Sequence, residues 1–128
     1  MRVRDDDRGS APAEFVMAGA LLTILTLTVL QLGLALHIRN TVTDAASEGA
    51  RYASLAGSSL DAGADRAAEL VATALGPGYA TDISAARIEY RGVEAAVITI
   101  RTRLPLIGLV GLDEAMEVHG HAALEALD

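Results

Sequence analysis

Two imidazoles are the side chains whose spacing most invites a chemical reading. His119 and His121 lie two residues apart, which on a strand puts both on one face, and paired imidazoles can begin a transition-metal site. No third ligand stands at a spacing that completes one, so the pair reads as part of a solvated sheet face and no metal is expected. Asp5-Asp6-Asp7 has the composition of a cation site but lacks the glycine and the ligand spacing of a calcium loop. Ser58 and Ser59 lie outside any GxSxG setting. Neither a phosphate loop nor a dinucleotide fingerprint is present. The sequence contains no cysteine, which excludes disulfides and thiolate zinc sites. The expectation is a protein that is not an enzyme and holds no cofactor.

Composition narrows the class further. The 128 residues are one domain's worth of material. Hydrophobic residues make up 52 %, with aromatics only 3 %, too apolar for a disordered tail. Ten basic residues, all arginine, face 17 acidic ones for a net charge of -7. Such an acidic surface repels a phosphate polymer, so no nucleic-acid partner is expected. Mean hydropathy is nevertheless positive at +0.36, and one segment is largely responsible.

That segment, residues 15–38, holds 24 residues without Asp, Glu, Lys or Arg, between Glu14 and Arg39. As a helix it would span about 36 Å, enough for a hydrocarbon core of about 30 Å. Thr23, Thr26 and Thr28 can return their hydroxyls to carbonyls one turn back, which lowers the cost of burying them. Gln31 is harder to place in lipid and is expected to face another helix. A secretory leader would be cut at small residues after the apolar run. Here the run is followed by RNTVTDAAS, so the helix is expected to be retained as a membrane anchor.

The residues before it, MRVRDDDRG, are short and polar. Gly9 is followed by Ser10, and Glu14 stands where the uncharged stretch begins. A carboxylate at a helix start is favoured by the macrodipole, by about 0.3–1 kcal/mol. This junction resembles that of a type IV prepilin, in which a membrane-embedded aspartyl peptidase cuts after Gly and a Glu lies five residues beyond the cut. Ser10 stands where pilins often carry an aromatic residue, and Pro12 lies inside the recognition stretch.

Beyond Arg39 the pattern remains helical and free of proline. Ile38, Val42, Ala45, Ala46, Gly49, Ala53 and Ala56 recur on one side. A single helix is expected from about residue 14 to 55, narrow enough along its upper part for another element to approach at Gly49. Gly57-Ser58-Ser59 should break it. The phrase EGARYAS at this distance from the membrane segment narrows the resemblance to TadE-like minor pilins of tight-adherence (Tad/Flp) pili. Major Flp pilins are far shorter, so the length points to the minor class.

The rest of the chain reads as a second helix and a sheet. Residues 61–75, DAGADRAAELVATAL, form an amphipathic segment that Asp61 can cap and Gly76-Pro77-Gly78 ends. The period then changes to two. In AARIEYR, Ala86, Ile88 and Tyr90 alternate with charged residues, and in AAVITIRTRL the set is Ala96, Ile98, Ile100, Thr102 and Leu104. In AMEVHGHAALEAL it is Met116, Val118, Gly120, Ala122 and Leu124. These predict three half-buried strands, with Gly92 marking a hairpin and a longer connection at 105–112. A terminal helix in the alanine-rich last stretch is the alternative. The apolar residues of 104–112 suit either contact with a partner or packing onto the helices.

The expected fold is α+β: a long N-terminal membrane helix extended into an ectodomain with a second helix and a three-stranded antiparallel sheet. Its expected parts are a prepilin leader at 1–9, a transmembrane and filament-core helix at 10–38, and an extracytoplasmic pilin-like domain at 39–128. The resemblance implies leader cleavage between Gly9 and Ser10, and subunit assembly through Glu14 and Phe15. In that picture Glu14 pairs with the freed amino terminus of a neighbouring subunit. The implied partners are the prepilin peptidase, other major and minor pilins, Tad assembly platform proteins and membrane lipid. The implied role is pilus assembly and surface adhesion. A different class fits the residues as well, an uncleaved single-pass envelope protein that binds or regulates a partner. A secreted protein cut near Ala46 is a third reading.

Overall fold

The computed structural model describes residues 3–55, 57–80, 82–103 and 115–124. In chain order these form helix α1 (Val3–Ser54), helix α2 (Leu60–Leu75), a 3-10 turn (Pro77–Tyr79), and strands β1 (Asp82–Tyr90), β2 (Val93–Arg103) and β3 (Ala115–Ala123). The class is α+β. The chain divides into two compact units, Met1–Leu34 and Ala35–Asp128.

The first unit is the N-terminal part of α1. Its helical stretch starts at Val3 and passes through Pro12, earlier than the expected start near residue 14. Proline removes one backbone donor and crowds the preceding turn; here its neighbours on both sides keep helical geometry. Every large apolar side chain from Phe15 to Leu34 is exposed, Phe15 by 79 %. As expected, the threonines turn inward on the helix: the hydroxyls of Thr23, Thr26 and Thr28 donate to the carbonyls of Gly19, Leu22 and Ile24, each at 2.8 Å.

The second unit has its own core. The upper part of α1 buries Ile38, Val42, Ala45, Ala46, Ala50 and Ala53. Ser59, rather than Asp61, caps α2: its hydroxyl accepts from the Ala62 N–H at 3.1 Å. A cap side chain reaches the N–H three residues on, so a helix beginning at Leu60 takes its cap from residue 59. Asp61 falls within the first turn, where its charge still favours the dipole. Gly76, with φ of 106°, ends the helix, and α2 buries Gly63, Ala67 and Val71.

The sheet is antiparallel with strand order β1-β2-β3. Arg91 (φ 53°) and Gly92 (φ 81°) make the tight turn between β1 and β2, the backbone that a two-residue hairpin requires. β3 pairs with β2 from Ala115 to Ala123, so that stretch is a strand and not a terminal helix. Its expected face holds, with Val118 and Gly120 buried and Met116 and Ala122 half-buried. β2 likewise buries Ala96, Ile98, Ile100 and Thr102.

β1 departs from expectation. Its inward residues are Ile83 and Ala85, opposite Ile100 and Ile98 of β2. Ala86, Ile88 and Tyr90 occupy the other face and are exposed. Pairing with β2 fixes this parity, because residues directly opposite share a face. The strand also begins at Asp82, so its inward pair sits mostly ahead of the stretch that showed alternation. α2 packs on β1 and β2, and the core closes around Ile98 and Ile100, both 0 % exposed. The expected apolar connection at 104–112, Ala56 of the small-residue face and the end of the last alternating stretch past 124 lie outside the described residues, apart from their flanks.

Candidate functional site

The candidate site residues are carried by one helix, α1. Gly9, Ser10, Glu14 and Phe15 fall on successive turns near its start and are all exposed. Around Gly9 there is open space: an added Cβ would have nothing within 4 Å. Gln31 lies farther along the same helix and is half-buried.

Gly49 is different. A Cβ there would come 2.7 Å from the Gly63 carbonyl oxygen, 2.8 Å from Ala67 Cβ and 3.4 Å from Ile98 Cγ1. The close approach anticipated at Gly49 is therefore made by α2 of the same domain. Two further glycines complete this packing; sequence places Gly120 on the inward strand face but marks neither Gly63 nor Gly120 as a close approach. A Cβ at Gly63 would stand 2.6 Å from the Gly49 carbonyl oxygen. One at Gly120 would collide with the backbone of Ala46 and Ser47. Their signal was present but faint: a glycine within a helix-forming run, and a glycine on the apolar parity of a strand. Gly49, Gly63 and Gly120 thus let α2 and β3 reach the α1 backbone. They build the domain rather than an exposed site.

The histidine pair lies on the outer sheet face. His119 Nδ1 is 3.0 Å from Thr99 Oγ1, and its Nε2 is 3.0 Å from Glu117 Oε1. Arg101 Nε donates to Glu117 Oε2 at 2.7 Å. That hydrogen bond, then the charges of Glu117 and Asp82, raises the guanidinium pKa above its usual value. His121 sits 5.2 Å from the Tyr90 ring, centroid to centroid. Both nitrogens of His119 are therefore occupied by protein groups in a cross-strand network. Among the described residues no group of three or more His, Cys, Asp or Glu is arranged to hold a metal.

What the exposed part of α1 can do follows from its surface. Residues 15–34, 20 in all, run about 30 Å as a helix, the thickness of a hydrocarbon core. Full burial of each large apolar side chain is worth about 1.5–3 kcal/mol, so water is a poor medium for such a surface. Within the described residues this is the one helix long and apolar enough to cross a membrane. It is compatible with a single-pass membrane protein.

Comparison with known proteins supports the same helix. Residues 9–51 match the family model described as TadE-like protein. Neither a curated protein nor a solved structure matches the chain significantly. The matched stretch opens at Gly9, takes in Ser10, Glu14, Phe15, Gln31 and Gly49, and ends at Arg51. It leaves α2 and the sheet outside. Over residues 9–51, then, the chain is similar to the TadE-like family.

Proposed function

We propose that the chain is a minor pilin or pseudopilin of a Tad/Flp pilus, acting in pilus assembly and surface adhesion. In this reading the prepilin peptidase removes residues 1–9, and the helix from Ser10 holds the subunit in the membrane. The domain from Arg39 onward lies outside the cytoplasm and can be carried into the filament. The role is structural and not catalytic, and needs neither a cofactor nor nucleic acid. Its partners are major and minor pilins and the Tad assembly platform. The observation that carries the reading is a family match that begins at Gly9 and runs past Glu14 through the uncharged, outwardly apolar stretch 15–34 of α1.

Glu14 supplies the test of assembly. An ionised carboxylate within the hydrocarbon layer costs roughly 2.5–3.5 kcal/mol on insertion scales, so it needs a partner at the layer's edge. The amino group freed at Ser10 of a neighbouring subunit is the partner this reading assigns. Glu14→Gln keeps size and hydrogen bonding but removes the charge. The variant is expected to insert, to be cut after Gly9, and to lose crosslinks to other pilins in membranes. Equal pilin crosslinks for both versions would reduce Glu14 to a helix-start acid and remove its assembly role.

A further inference from the structure

We draw no further inference here: the strongest candidate, the outer sheet face where Ile88, Tyr90 and Val93 stand exposed beside the Tyr90–His121 ring contact, is an unpartnered apolar face with nothing in the structure to show what covers it.

Discussion

At the scale of the residue, glycine decides how closely the elements of the domain approach. Gly49, Gly63 and Gly120 each stand where a methyl group would meet backbone atoms. Backbone cannot swing aside as a flexible side chain can, so an added Cβ must displace a whole element. Overpacking of this kind typically costs 1–3 kcal/mol, on the order of one tenth of a small domain's stability or more. Gly120→Ala adds the smallest possible side chain at the tightest of the three. We expect it to lower the stability of the full-length protein by at least about 1 kcal/mol, read as an earlier urea midpoint in detergent. Gly78→Ala, made in open space, should leave that midpoint unchanged. Matching midpoints for Gly120→Ala and the parent would mean that β3 and α1 are not in backbone contact.

At the scale of the element, local pattern and tertiary pairing contributed unequally. The uncharged run made α1 legible, since a charge-free stretch long enough to cross lipid has few other uses. The change from a helical period to a period of two located the sheet, and the parity of β2 and β3 followed from Ile98, Ile100 and Val118. β1 misled because its apolar alternation at Ala86, Ile88 and Tyr90 belongs to the outward face. Only the register with β2 reveals that Ile83 and Ala85 point inward. The cap of α2 was missed by two residues for a similar reason: Ser59 and Asp61 are both good caps, and the start of the helix chooses between them. Of the candidate site, the placement of Gly9, Ser10, Glu14 and Phe15 on one helix was readable because their spacing is local. Gly63 and Gly120 were not, because their neighbours come from elsewhere in the chain. The corrected face of β1 has a direct check. Ile98→Ala, in the core, should cost about 2–5 kcal/mol. Ile88→Ala, 37 % exposed on the outer face, should stay within about 0.5 kcal/mol of the parent. Denaturation of both full-length variants compares them, and a large loss at Ile88 would restore the opposite parity.

At the scale of the whole molecule, a minor pilin is a chain anchored by its N-terminal helix, here α1, with its folded domain on the outer side of the membrane. The absence of cysteine makes orientation simple to measure. Asp65 is exposed on α2, so Asp65→Cys creates one thiol on the domain without touching its core. In intact spheroplasts that thiol should react with a membrane-impermeant maleimide. Labelling only after the membrane is permeabilised would place the domain in the cytoplasm, where a pilin's domain does not belong. The acidic balance of residues 39–128, with 7 arginines and 13 carboxylates, suits a domain whose partners are proteins rather than nucleic acid. In the proposed reading, this helix begins life behind a removable leader. N-terminal sequencing of the protein extracted from membranes tests it most directly. Cleavage after Gly9 leaves a sequence starting Ser-Ala-Pro-Ala-Glu, from Ser10. A start at Met1 or Val3 would contradict it in favour of an uncleaved anchor, and a start near Ala46 would contradict it in favour of a secreted protein.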